Sequence, residues 1–493
     1  MVIGLVEPTA TALILAVFGA LMVFSVVLTR TLDRFGVPVV LLFLVLGLLG
    51  GSEAIGKVAF DNFSFAYRMG TVALILILFD GGLNTRVASI RRSLAPAGML
   101  ATVGVAATAG MMALAGRAVG LGWGEAVLVG AIVSSTDAAA VFAVLRGGAV
   151  RIRDRVRSVL EVESCVNDPM AVLLTVTMIG VLRGSGSAGW SLAWRVPMEL
   201  VIGAGVGVMA GLAMRWVLAR ASLKTAGLYP VATLAAAFCS YGFATMCLGS
   251  GFLAVFATGV VLGNGPLPYK TALARVHDAV AWMSQVAMFL MLGLLAFPSQ
   301  LVPVAGEGLL LGLALAFVAR PLAACACLLP MGWSLREVIF IGWVGLRGAL
   351  PIILVTFPVM AGHAGAERIF HIVFFVVVVS ALVPGASIVP LTRRLRMGDS
   401  EPPAPSAALE IHSLQHLDGM IRAYRVVPSV AVCGARLSEI AFPPGSSAIL
   451  VVRGKELLAA RGHTLLEAGD HVYVFLKPGD EPLIGLLFGA QTQ

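Results

Sequence analysis

The chain has 493 residues, 59% of them hydrophobic and 12% charged, with a formal net charge of +8. A soluble domain carries about 25% charged residues, so half the usual charge is missing, and the length exceeds one ordinary core. These values exclude a secreted disulfide scaffold and a disordered chain and argue against a cytosolic enzyme, because most of the chain is suited to lipid.

The 56 glycines agree, since glycine is frequent in transmembrane helices. The arginines sit in short runs between apolar segments, a pattern that sets membrane orientation rather than gripping nucleic acid. Cys325 and Cys327 are two apart, so a helix turns them to different faces and they make a poor metal pair. Glu7 precedes the first apolar run where a basic leader would stand, so no cleavable signal peptide is expected.

A spanning helix needs about 20 mostly apolar residues. In chain order this predicts about thirteen spans, near 9–29, 37–51, 69–83, 94–119, 123–145, 156–182, 196–219, 228–248, 250–263, 278–297, 304–329, 335–358 and 367–391. Loops on one side carry Arg30 and Arg34; Arg86, Arg91 and Arg92; Arg146, Arg151, Arg153, Arg155 and Arg157; Arg215, Arg220 and Lys224; Lys270 and Arg275; Arg336; and Arg393, Arg394 and Arg396. The opposite loops hold Lys57, Arg68, Arg117, Arg183, Arg195 and Arg368, a bias of 19 to 6. The first group is expected in the cytoplasm, with the N-terminus outside, the C-terminus inside and an odd number of spans.

After Arg396 the composition changes. Residues 1–396 are expected to form the membrane domain and 397–408, rich in Pro and Ser, a linker. Residues 409–493 read as short β segments, with Val472, Val474 and Leu476 alternating as in a half-buried strand. The expected architecture is an all-α polytopic membrane bundle with a small α/β cytoplasmic C-terminal domain.

A charge at the centre of a spanning helix costs about 2.5–3.5 kcal/mol on insertion scales, so each needs a reason. The candidates are Asp80, Asp137, Glu163, Asp168, Arg320 and Arg347. Glu161 is read as a helix-end pair with Arg157. Glu163 and Asn167 share one helical stripe and Ser164 and Asp168 the next, and Pro169 frees the carbonyl of Cys165. Hydroxyl, carboxylate and carbonyl oxygens in this grouping suit a small hard cation. Asp137 follows Ser134, Ser135 and Thr136, which compete with helical backbone bonding. A matching break is expected around Arg347, between Gly345, Gly348 and Pro351. The two breaks fall in the fifth and twelfth spans, corresponding places if spans 1–6 and 8–13 form inverted repeats.

The strings "LFDGGLN", "SSTDAAAVFAVL", "ESCVNDP" and "GLRGALP" occur in the order and spacing of the monovalent cation/proton antiporters, which the chain resembles over roughly residues 10–395. The tail, with "GSSAILVVRG" and "GDHVYVFL", resembles the C-terminal half of a regulator-of-potassium-conductance domain. The resemblance implies two crossed discontinuous helices and an Asp168 that binds the ion or the proton with help from Ser164, Asp137 and Asp80, beside Thr136. It implies a buried Glu163–Arg347 ion pair and an Asn167 that braces the crossing. The Asp80 position is often Glu in the family, and Arg320 matches a common basic residue that either neutralises a carboxylate or anchors its helix. The family's electrogenic branch has an Asp-Asp pair where this chain has Asn167-Asp168. A homodimer is implied too.

The sequence gives little support to two other classes. A potassium channel subunit needs a carbonyl-lined filter; the nearest string, Thr102-Val103-Gly104-Val105, lies in what reads as an unbroken apolar helix. A membrane enzyme lacks support, with no HExxH or GxSxG present, and His412 and His416 read as a solvated helix face. The expectation is an electroneutral antiporter in a bacterial inner membrane that exchanges K⁺ or Na⁺ for H⁺ without a cofactor. Oxygen ligands serve both ions, and the tail favours K⁺ by association. A regulatory cyclic dinucleotide, a nucleotide or no ligand at the tail are all open.

Overall fold

A computed structural model describes residues 39–398 and 420–489, with short gaps at 55, 59, 148–149, 185–189, 222–224 and 455, and a few scattered residues before 39. The first expected span, most of the linker, and His412 and His416 lie outside the described residues. The chain divides into two compact units, Met1–Asp399 and Ser400–Gln493.

The first unit is helical throughout. Its helices are α1 (Val39–Gly50), α2 (Phe63–Asn84), α3 (Val87–Ala118), α4 (Trp123–Ile132), α5 (Ala138–Gly147), α6 (Asp154–Leu182) and α7 (Trp190–Arg220). They continue as α8 (Leu228–Met246), α9 (Gly251–Gly263), α10 (Lys270–Leu295), α11 (Pro298–Met331), α12 (Leu335–Trp343), α13 (Ala349–Met360) and α14 (Ala366–Arg394). Eight stretches among the described residues are long and apolar enough to cross a membrane, and shorter apolar helices accompany them. Several overrun the apolar window; α10 begins at Lys270, eight residues before the expected 278. Backbone hydrogen bonding continues where lipid solubility stops, so hydropathy marks the membrane and not the helix end.

The same succession occurs twice. A long helix with a π-helical turn (Leu100–Gly104 in α3, Leu315–Ala319 in α11) is followed by an interrupted helix (α4 and α5, then α12 and α13). A long proline-bearing helix closes each set, α6 with Pro169 and α14 with Pro384. The stretch Thr102–Gly104 therefore belongs to a π turn, not to the unbroken helix expected there. Conversely α6 runs on through Pro169, whose missing donor the helix tolerates.

Close packing depends on glycine. A Cβ on Gly259 would meet the Phe79 carbonyl at 2.6 Å, so α9 and α2 touch backbone to backbone. At the start of the loop after α1, Glu53 accepts from the N–H of Ser299 (2.8 Å) and its hydroxyl (2.5 Å) at the start of α11. Those donors hold its carboxyl below the usual range.

The second unit is a four-stranded antiparallel sheet in the order β1-β4-β2-β3, with β1 (Met420–Arg425), β2 (Ser447–Arg453), β3 (Glu456–Ala459) and β4 (His471–Leu476), plus helix α15 (Glu481–Phe488). Val472, Val474 and Leu476 are fully buried with Tyr424, Ile484 and Phe488. The tail is the small α/β domain expected, but the sequence does not mark strand β1 or place helix α15: "MIRAYR" alternates too weakly, and eight residues are too few for helical periodicity to register. The Asp470 carboxylate accepts from Arg453 Nε (2.9 Å) and Nη2 (2.8 Å), which ties β4 to β2 and keeps the guanidinium above its ordinary value.

Candidate ion-binding site

Both interrupted helices break where their sequences weaken the helix. Ser134 returns its hydroxyl to Ala131 O (2.7 Å), and α4 ends at Ile132. Helix α12 ends at Trp343, and Gly345 and Gly348 flank the second break. The two unwound segments cross, with Asp137 N–H donating to Leu346 O at 2.8 Å.

The crossing juxtaposes four helix ends, and one charge of each sign answers them. Arg347 donates from Nε to Val133 O (2.8 Å), the cap residue of α4, and from Nη1 to Gly345 O just beyond α12. Its own N–H donates to Ser380 Oγ at 3.0 Å. A cation thus sits where two helices present carbonyls and negative dipole ends. Asp137 is the converse: Oδ1 accepts from Ala140 N–H (3.1 Å) at the start of α5, and its carboxylate abuts Gly348, the cap of α13. A Cβ on Gly348 would overlap that carboxylate outright. Gly348→Ala is therefore expected to destabilise the protein by about 1–3 kcal/mol through overpacking. It should also lower transport, both read from thermal unfolding and vesicle assays of the same preparation.

Helix α6 crosses behind the two breaks. Ser164 Oγ donates to Thr136 O (3.0 Å) and accepts from Ala138 N–H (3.2 Å), while Asn167 Nδ2 donates to Thr136 Oγ1 at 2.6 Å. Ser164 and Asn167 of this helix thus both bond Thr136, in the unwound stretch between α4 and α5. Asp168 is 5% exposed and faces a cavity of about 530 Å³ shared with Asp80, Thr136, Asp137 and Ser164. The cavity reaches the face that bears Arg157 and Arg275. Asp80 is half-buried in its wall and accepts from Asn84 Nδ2 at 3.1 Å. The cavity lining thus combines the carboxylates of Asp80, Asp137 and Asp168 with the hydroxyl-bearing Thr136 and Ser164. Among the described residues no group of three or more His, Cys, Asp or Glu is placed to hold a metal ion.

The expected Glu163–Arg347 ion pair is not the one formed. Glu163, fully buried, has its two carboxylate oxygens 2.7 and 2.8 Å from Nη2 of Arg320 in α11. Arg347 instead serves the helix ends described above. Both guanidinium groups pack on Gly345, where a Cβ would lie 2.6 Å from Arg320 Nε and 3.0 Å from Arg347 Nη1. Glu161 pairs with Arg157 at 2.8 Å, as read.

Crossed interrupted helices, with the Asp137 carboxylate where their half-helix ends meet and the buried Asp168 of α6 on the same cavity, define a secondary transporter. A family model described as sodium/hydrogen exchanger, transmembrane, matches residues 20–394, and a TrkA-C domain model matches 421–489. The chain belongs to the sodium/hydrogen exchanger family and carries a TrkA-C domain. It is 38% identical over 483 residues to the K(+)/H(+) antiporter NhaP of Alkalimonas amylolytica, covering 98% of this chain and 84% of that one. It is 41% identical over 461 residues to the K(+)/H(+) antiporter NhaP2 of Shewanella oneidensis, covering 92% and 79%. The solved sodium proton antiporter MjNhaP1 of Methanocaldococcus jannaschii superposes with a TM-score of 0.67 at 21% identity over 78% of this chain and 99% of that chain, a likeness of fold.

Proposed function

We propose that the protein exchanges K⁺ for H⁺, one for one, across a bacterial inner membrane. The observation that carries the proposal is the single buried carboxylate of Asp168 on the cavity wall beside the helix crossing. A carboxylate stripped of water holds a proton readily, and a cation in the same pocket favours the ionised form, so the two ligands compete for it. Thr136, Ser164 and Asp137 supply further oxygens, and Asp80 acts from the cavity wall. Exposing this pocket alternately to the two sides couples the opposite fluxes. The arginine bias supports a cytoplasmic C-terminus, so the cavity opens inward. Residues 409–493 regulate transport, with a nucleotide as candidate ligand, and the protein works as a homodimer. K⁺ is favoured over Na⁺ because the two relatives reported above are named K(+)/H(+) antiporters.

Asn167 beside Asp168 cannot take up or lose a proton, and Glu163 is held by Arg320. The two loaded states therefore bear the same charge, and membrane potential, worth about 2.3 kcal/mol per charge per 100 mV, does no work on the cycle. The test is purified protein in vesicles with an entrapped pH dye, given K⁺ and Na⁺ separately at several clamped potentials. Proton counterflow driven by K⁺ and indifferent to voltage is expected. Counterflow with Na⁺ alone would reassign the cation, and a rate that tracks voltage would show a second moving charge.

A further inference from the structure

The cavity ends well short of the opposite face. It is lined along α2 from Leu74 to Thr85 and along α13 at Leu350 and Pro351. Beyond that floor α2 and α13 close on each other. A Cβ on Gly70 would lie 2.8 Å from Cγ1 of Ile353, and one turn further the rings of Tyr67 and Phe357 meet with centroids 5.0 Å apart. Tyr241 of α8 flanks this contact and packs on Phe252 of α9 at 5.2 Å. Tyr67 is seven residues, about 10 Å of helix, from Leu74.

Helix α6 carries a second anomaly beyond Asp168. Thr175 lies seven residues past Asp168, on the same face because two turns of helix return to nearly the same direction. It is fully buried, and its hydroxyl has no hydrogen-bond partner among the described residues. Thr71, Thr102, Thr108 and Thr233 each return their hydroxyl to the carbonyl four residues earlier, so Thr175 departs from the pattern of helical threonines here. A buried polar group left unpaired asks for an account.

We propose that Thr175 is a station for the cation or its water on the half-route from Asp168 to the far face, and that the α2–α13 seam is the barrier that parts to open that route. The proposal rests on Asp168 as the exchange site. In the closed seam the Thr175 hydroxyl is buried without a protein partner; in the opened state it meets the cation or its water. The link to the ion site is direct, since α13 begins at Gly348 against Asp137. A displacement of the crossing therefore carries Ile353 and Phe357 with it.

The experiment uses the full chain in vesicles, with its six cysteines replaced (Cys165, Cys239, Cys247, Cys325, Cys327 and Cys433) and Thr175→Cys introduced. A charged thiol reagent is applied from each side. Labelling is expected to be slow from both sides in this background. Gly70→Leu, which collides with Ile353, should raise it about tenfold from the face opposite the cavity, the population change that a bias of about 1.4 kcal/mol produces. Phe357→Ala, which removes a ring without adding volume, covers the case in which the wedge does not fold and should act in the same direction. In the native-cysteine chain Thr175→Val should slow exchange severalfold without lowering the unfolding temperature, and Thr175→Ser should restore it. Unchanged labelling in both seam variants, acceleration from the cavity side, or full exchange by Thr175→Val would each overturn the proposal. Labelling needs no transport, so these outcomes are distinct from a failure of Asp168 to exchange ions.

Discussion

Asp168→Asn is expected to reduce proton-coupled cation exchange to the rate of protein-free vesicles while the protein remains folded. The substitution keeps the shape of the side chain and removes the one group on the inner cavity wall through which proton and cation compete. Stability should be unchanged or slightly higher, because an isolated buried carboxylate is costly and an amide is less so. Folding is read from monodispersity and thermal unfolding, and exchange from the pH dye on the same preparation. Residual pH-dependent exchange in a folded Asp168→Asn protein would sink the assignment and move the exchange site to Asp137 or Asp80. Ser164→Ala is milder by the same logic: it deletes one oxygen and the bond to Thr136 O.

The second large effect is on stability. Glu163→Ala or Arg320→Ala alone strands one charge in the bundle and is expected to cost roughly 3–5 kcal/mol, the range for breaking a buried pair. The double variant should recover part of that loss, since neither charge is left behind, and the resulting coupling, of order 0.5–3 kcal/mol, measures the contact. Arg347→Ala should also destabilise, for a different reason: the carbonyls of Val133 and Gly345 lose their donor. Its effect should therefore add to that of Glu163→Ala more nearly than Arg320→Ala does. A stronger coupling of Glu163 to Arg347 than to Arg320 would return the pairing to the one read from the sequence.

Much of the architecture was legible because lipid imposes simple local rules. Apolar length marks a span, and Ser134-Ser135-Thr136 and Gly345–Gly348 mark the breaks, since each group weakens the helix by its own local chemistry. The stripes Ser164/Asp168 and Glu163/Asn167 follow from helical periodicity alone, whereas the contacts of Ser164 and Asn167 with Thr136 are set by how α6 crosses the break.

The partner of Glu163 was a different kind of question. Arg320 lies 157 residues from it, and both Arg320 and Arg347 converge on Gly345. Which guanidinium reaches the carboxylate depends on helix phase. The π turn Leu315–Ala319 immediately precedes Arg320, and a π turn holds an extra residue, so it rotates everything after it on α11 by about 100°. No hydrophobic pattern announces such a turn, because the apolar run continues across it. The contact of Gly70 with Ile353 and the orphaned hydroxyl of Thr175 are of the same sort. Composition and spacing determined which residues enter the membrane, where the helices break and which side chains share a face. The tertiary structure alone decided which charges pair, which helix ends each charge caps and where the route beyond Asp168 is closed, because these depend on the rotation and approach of helices far apart in the chain.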